Sequence, residues 1–142
     1  MKVHYTHSAA DTQKLGEKLA GSLKPGAVLA LYGDLGSGKT TFTQGLAKGL
    51  GITGRIQSPT FVLMRDYDLP VKDNSQLHHL DLYRLQSDKE LKSLNLNELV
   101  NEETSIFVIE WADKANQDYL QNAIKIYFKS LKENERKITI QS

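Results

Sequence analysis

Gly33, Asp34, Leu35, Gly36, Ser37, Gly38, Lys39 and Thr40 spell GxxxxGK[ST] without a mismatch, and Thr41 follows directly. A backbone can wrap a polyphosphate with its N–H groups turned inward only where Cβ atoms do not block the approach. Gly33, Gly36 and Gly38 leave that room. A helix beginning at Lys39 would set roughly half a positive charge against the same phosphates. Lys39 adds a mobile full charge for the β and γ phosphates, and Thr40 offers a hydroxyl to Mg²⁺, which neutralises phosphate charge. A glycine-rich turn with a solvated lysine would account for these residue types but not for their spacing. Without ligand, Lys39 is expected to be solvated, so that removing it would cost affinity and little stability. An NKxD-like base-reading element and a DxxG switch, usual in GTPases, are both missing from the chain, which favours ATP.

Such a loop needs an acid at the end of a neighbouring strand, to hold the metal or position water. Two candidates exist. Glu110 ends IFVIE, an apolar strand pattern, and Asp81 ends LHHLD, a more polar one. Pattern alone favours Glu110 for the metal; for Asp81 the plainer reading is a solvated strand-end carboxylate or a cap. His78 and His79 are adjacent on a strand and so point to opposite faces, which prevents them from sharing one ion. His79 and Asp81 share a face. Trp111, beside Glu110, suits either the core or the surface of a nucleotide or partner site. In Ser58-Pro59-Thr60-Phe61, Thr60 offers a hydroxyl to metal or water at a place suited to a γ-phosphate switch, although a Pro turn entering a strand explains it as well. Arg55, Arg65, Arg84 and Arg136 are the only arginines and the candidates for a charge stabiliser, with solvation the plainer expectation for most of them.

The elements that must position these groups are legible as patterns. Ser8, with Asp11 three residues on, caps a helix expected over 9–23, with Leu15, Leu19 and Leu23 along one face. Pro25-Gly26 hands over to AVLALY (27–32), whose unbroken apolar run suits a strand buried on both faces of a parallel sheet. The next helix is expected from Lys39 to Leu50, with Phe42, Leu46 and Leu50 four apart. Strands are expected at 61–67, 77–83 and 105–110, a loop at 70–76, and a short helix over 87–94 with Ser87 and Glu90 as its capping box. AIKIYF (123–128) and RKITIQ (136–141) alternate, as a hairpin with one solvated face would. Together these predict an α/β fold: a three-layer P-loop NTPase with a mostly parallel sheet and an antiparallel C-terminal hairpin, one domain over 1–142.

Composition bounds the rest. With 142 residues, 39% hydrophobic and 25% charged, the chain has enough apolar surface for a core without staples. The absence of Cys excludes disulfides, Cys-ligated zinc and thiol chemistry. A net charge of +1 provides no general field for nucleic acid, so contact with RNA would need a local patch or a partner protein. No apolar run approaches the ~20 residues of a membrane span, and a cytoplasmic location is expected.

GDLGSGKTT, SPTF, HHLDLYRL and IEW, in this order and spacing, resemble the bacterial TsaE family. The resemblance takes in nearly the whole chain. It implies an ATP- and Mg²⁺-dependent, slowly hydrolysing ATPase that resets or activates the TsaB and TsaD proteins, which install threonylcarbamoyladenosine in tRNA. The tRNA would be reached indirectly, through that complex. Carried over by motif, Lys39 contacts phosphates, Thr40 and Glu110 hold Mg²⁺, and Asp81 and Thr60 lie at the hydrolysis site; Lys132 or Arg136 is the candidate for a basic contact to nucleotide from the hairpin. A small-molecule kinase is the alternative, but four scattered arginines and no lid-length insertion argue against it. A nucleotide-gated binding module that acts through its bound state differs only in whether turnover matters.

Overall fold

The computed structural model describes residues 1–57, 63–70, 75–85, 89–90 and 104–142. Seven strands form one sheet: β1 (Lys2–Thr6), β2 (Val28–Tyr32), β3 (Met64–Asp68), β4 (Gln76–Asp81), β5 (Ile106–Glu110), β6 (Ile124–Ser130) and β7 (Arg136–Gln141), in the order β1-β7-β6-β2-β5-β4-β3. Two helices, α1 (Ala9–Ala20) and α2 (Lys39–Gly49), cover one face.

The apolar run of β2 sits where its pattern demands, at the sheet's centre between β5 and β6 and parallel to both. β4 joins β5 in parallel as well. The expected antiparallel C-terminal hairpin is present as β6 and β7. The sheet is less parallel than expected because, among the described strands, β3 also returns antiparallel to β4 and β1 adds antiparallel to β7. β1 was not legible because it is an edge strand whose Val3 and Tyr5 face water, so its apolar residues do not mark a buried side. LHHLDLY stops being strand at Asp81, where the chain turns and Tyr83 N donates to Asp81 Oδ1 at 2.9 Å. The first helix ends at Ala20 rather than at 23, its last carbonyls taken up by a turn from Ser22 and Leu23. Of the helix expected over 87–94 only Lys89 and Glu90 are described, and both are helical. Ser87 lies outside the described residues, as does the SPTF segment.

The alternation of strand side chains divides the core. Leu29, Leu31, Leu77, Val108, Ile126 and Phe128 face α1 and α2, meeting Phe42, Leu46 and Ala47. Ala30, Leu80, Phe107 and Ile109 face the other way, against Ala112, Ala115 and Leu120 of two short 3-10 turns (Ala112–Lys114 and Gln117–Leu120). α1 and α2 touch backbone to backbone: a Cβ on Gly45 would lie 2.0 Å from Gln13 O, and one on Gly16 2.3 Å from Phe42 O. This close crossing brings the first turn of α1 beside the start of α2, which carries Lys39 and Thr40.

Candidate functional site

Parallel register sets the ends of three strands level, with Leu31 of β2 and Asp81 of β4 each paired to Glu110 of β5. The glycine loop leaves β2 just beyond that line and re-enters the fold as α2. Gly33 has φ 151°, and a Cβ there would lie 2.7 Å from Phe128 O and from Ser37 Oγ. Gly38, at φ 105°, is the N-cap of α2 and turns the chain into the helix from the left-handed region, where an L side chain is costly.

The loop, the strand ends, the first turn of α1 and the β6–β7 turn enclose a cleft of about 540 Å³. Leu35, Gly36, Gly38, Lys39, Thr40, Thr41, Asp81 and Glu110 line it. Gly33, Asp34 and Ser37 do not line it and touch it only through Lys39. Lys39 Nζ donates to Gly33 O at 2.5 Å and Asp34 O at 2.8 Å, and lies 3.5 Å from Ser37 Oγ. The expected solvated lysine is therefore corrected: Lys39 is only 4% exposed, because the loop folds back over it. Burial holds its pKa below the ordinary lysine value, with Glu110, Asp81, Asp34 and Asp113 pulling the other way.

Thr40 Oγ1 donates to Glu110 Oε1 at 2.9 Å and lies 3.2 Å from Oε2. Glu110, 2% exposed, also accepts from His79 Nε2 at 2.5 Å, since a carboxylate can only accept. His79 Nδ1 is buried and finds no partner among the described residues. His78 points the other way, with Nδ1 2.7 Å from Asp66 Oδ1, as adjacent strand positions require. Asp81 is buried beside Glu110 and caps the following turn, so the solvated reading of it is excluded.

Trp111 takes φ 57° and ψ 45°, a left-handed conformation worth about 1–3 kcal/mol of strain for a residue with a Cβ. The turn it makes sets its ring 4.1 Å from Lys39 Nζ and 4.9 Å from the ring of Tyr83. Of Lys132 and Arg136, only Arg136 lines the cleft. Its guanidinium binds the carbonyls of Lys132, Glu133 and Glu135 and donates to Gly36 O at 3.1 Å, bracing the hairpin turn on the glycine loop. Arg84, one of the four arginines considered as charge stabilisers, also lines the cleft; Ser8, Ala9, Thr12, Tyr83 and Asn134 were not expected there, although Tyr83 belongs to the LDLYRL motif. Thr60 lies outside the described residues.

The protein donors offered to a cation are a hydroxyl and carboxylates, hard oxygens at the cleft's inner end. No cluster of three or more His, Asp or Glu closes on one point among the described residues. Few protein oxygens and open space suit Mg²⁺, which keeps several waters and shares phosphate oxygens. The adjoining buried ammonium and helix N-terminus suit a polyphosphate.

The family model described as "Threonylcarbamoyl adenosine biosynthesis protein TsaE" matches residues 6–138. The chain is 38% identical over 134 residues to the tRNA threonylcarbamoyladenosine biosynthesis protein TsaE of Bacillus subtilis, covering 94% of this chain and 81% of that protein. It is 36% identical over 135 residues to the protein of that name from Treponema pallidum, covering 95% and 96%. Among solved structures, the crystal structure of YdiB from Bacillus subtilis superposes with a TM-score of 0.75 at 33% identity, covering 98% of this chain and 83% of that one.

Proposed function

The chain belongs to the TsaE family of threonylcarbamoyl adenosine biosynthesis proteins, and from that premise we propose that it is a P-loop NTPase that binds MgATP, hydrolyses it slowly, and acts on partner proteins in tRNA modification. The observation that carries this reading is the meeting of Lys39, Thr40 and Glu110 in one cleft. Bound phosphates would take the place of Gly33 O and Asp34 O at the Lys39 ammonium. Thr40 and Glu110 would hold Mg²⁺, which when bound neutralises the phosphate charge and orients the leaving group. Asp81, level with Glu110, is placed to orient the attacking water, and His79 keeps the Glu110 carboxylate turned toward Thr40. The partners are TsaB and TsaD, through which tRNA is modified; the transfer itself is theirs.

Two features support slow turnover alone. Lys39 is already satisfied by the loop, so phosphate must compete for it, and the cleft contributes Arg136 only with its guanidinium engaged by four carbonyls. The test is ATP hydrolysis with Mg²⁺ by the protein alone and with TsaB and TsaD, using GTP as the control. Turnover that is slow alone and rises with both partners is the expected result. Brisk turnover alone would favour the kinase alternative, and tight ATP binding without turnover in any mixture would favour a switch acting through its bound state. A Glu110→Gln variant with unimpaired multiple-turnover modification would also overturn the ATPase reading.

A further inference from the structure

Among the described residues no element covers the face of β1, β7 and β6 turned away from α1 and α2: Val3, Tyr5, Tyr127 and Lys129 are exposed there, and Lys125, Lys137 and Thr139 are half-buried. Ile126, Phe128, Ile138 and Ile140 point toward the helices, so Lys125, Tyr127, Lys129, Lys137 and Thr139 point outward, joined by Val3 and Tyr5 of β1. The 3-10 turns cover the neighbouring strands and stop at Tyr32, whose ring stacks on Tyr127 at 5.0 Å, with 16° between the planes. Register places the side chains in rows. Tyr5, Lys137 and Lys129 run across three strands, and Val3, Thr139, Tyr127 and Tyr32 form the next row across four. Tyr5 is 59% exposed and Tyr127 40%.

Two features of this face have no structural benefit. Lys137 and Lys129 stand directly opposite each other on paired strands, an arrangement that repels. No Asp or Glu occupies an outward position on these three strands, and none of the three lysines makes an ion pair or side-chain hydrogen bond among the described residues. Exposed aromatic rings interleaved with unneutralised lysines on an open sheet suit a polyanion whose units also stack. Tyrosine is common in protein interfaces as well, but lysine is depleted there, so the lysines are what favour a polyanion. We propose that this face binds single-stranded RNA directly, bases stacking on Tyr127 and Tyr5 while Lys125, Lys129 and Lys137 meet phosphates. The net charge of +1 does not oppose this, because the charge is local. In a protein of tRNA modification, the accessible ligand of that class is an unpaired tRNA loop. The proposal rests on family membership for the identity of the RNA and is independent of the ATPase reading, since these residues face away from the cleft.

The test is fluorescence anisotropy of a labelled tRNA stem-loop with an unpaired loop, with a labelled DNA duplex as control, titrated across a NaCl series. Wild type is expected to bind the stem-loop in preference to the duplex, with log K falling against log salt at a slope of about −2, as three phosphates on a single strand require. Lys129→Glu with Lys137→Glu should weaken binding by roughly tenfold or more. The milder Lys129→Gln with Lys137→Gln should lower the slope, and Tyr127→Ala should weaken binding at an unchanged slope. ATP affinity should be unaltered in all three, which reports an intact fold and separates this test from that of the ATP site. Absence of wild-type binding at low salt, or equal affinity in the charge-reversed variant, would overturn the proposal. Variants that lose association with TsaB and TsaD while RNA affinity is unchanged would assign the face to protein contact and overturn it equally.

Discussion

Thr40 Oγ1 and the Glu110 carboxylate are hydrogen-bonded across 70 residues of sequence, at 2.9 and 3.2 Å to its two oxygens. The contact exists because α2 begins where the loop from β2 ends, and β5 lies beside β2 in parallel with Glu110 at its last position. Two groups read separately as metal donors are thus brought together by the fold, with the hydroxyl donating to the carboxylate.

Replacing Thr40 by Val keeps the shape and removes the hydroxyl. ATP affinity measured with Mg²⁺ should fall toward the value measured in EDTA, so that the gain from the cation disappears. Thermal stability should drop by about 1.5–3 kcal/mol, the range for a hydrogen bond to a charged group. A Mg²⁺-dependent gain equal to that of wild type would remove Thr40 from the cation site.

Lys39→Met tests the buried ammonium. Because burial lowers its pKa in the folded state, the unfolded chain binds more protons between the folded pKa and the ordinary value of 10.5, and stability contributed by this group rises with pH through that window. The wild type should therefore gain on Lys39→Met in alkaline denaturant titrations. ATP affinity should run in the opposite direction: the charge that meets phosphate is lost as pH climbs through the lowered pKa, so wild-type binding weakens there and the already weak binding of Lys39→Met does not. Parallel pH profiles for the two proteins would contradict both signs.

His79→Leu leaves a buried carboxylate with one donor fewer, and should cost about 1–3 kcal/mol. His79→Gln, which can donate from its amide, should recover part of that loss. If His79 orients Glu110, the Mg²⁺ concentration needed for half-maximal ATP binding should rise in the Leu variant and return toward wild type in the Gln variant. A stability loss with no change in Mg²⁺ requirement would leave His79 as a packing residue alone.

Asp81→Asn keeps the oxygen that accepts from Tyr83 N, so the turn after β4 should survive with little change in melting temperature. Nucleotide binding should persist, and hydrolysis should fall by about 10²–10⁴, the range for a positioned acid–base group. A large thermal loss with turnover retained would identify Asp81 as a turn cap and no more.

Gly45→Ala is the fold control. Its Cβ would meet Gln13 O at 2.0 Å, and the neighbour is backbone, so α1 must retreat from α2. Overpacking of this kind costs about 1–3 kcal/mol, and ATP affinity should weaken with it because Thr12 in α1 and its N-cap Ser8 belong to the cleft wall. Unchanged stability to denaturant would show that the helices have room to separate.

The loop, the two helices, the central strand and the hairpin could be read from one sequence because each announces itself locally. The spacing of Gly33, Gly38 and Lys39, the Ser8 cap on Asp11, and the apolar run of β2 require no knowledge of distant residues. The acid at the end of IFVIE was legible for the same reason. β1 was not, since Val3 and Tyr5 alternate over only five residues and face water, so the alternation marks no buried side, and neither were the 3-10 turns that cover the second face. The burial of Lys39 has no local signal, because it is produced by loop carbonyls folding over it and by a tryptophan 72 positions later, held in place by its own strained turn.

Sequence by itself therefore determined which chemical groups the chain owns and the local conformations that present them: a loop without Cβ obstacles, a helix start, and strand-end acids. Tertiary structure alone decided which of those groups meet. Strand order and register set Asp81 level with Glu110, put the Glu110 carboxylate on the face that alternation had given His79 and Asp81, and left three lysines and three tyrosines on an open face. The physical reason is that local propensity depends on neighbours a few residues away, whereas pairing register is fixed by burial summed over the whole sheet, in which a shift of one residue would exchange its two faces.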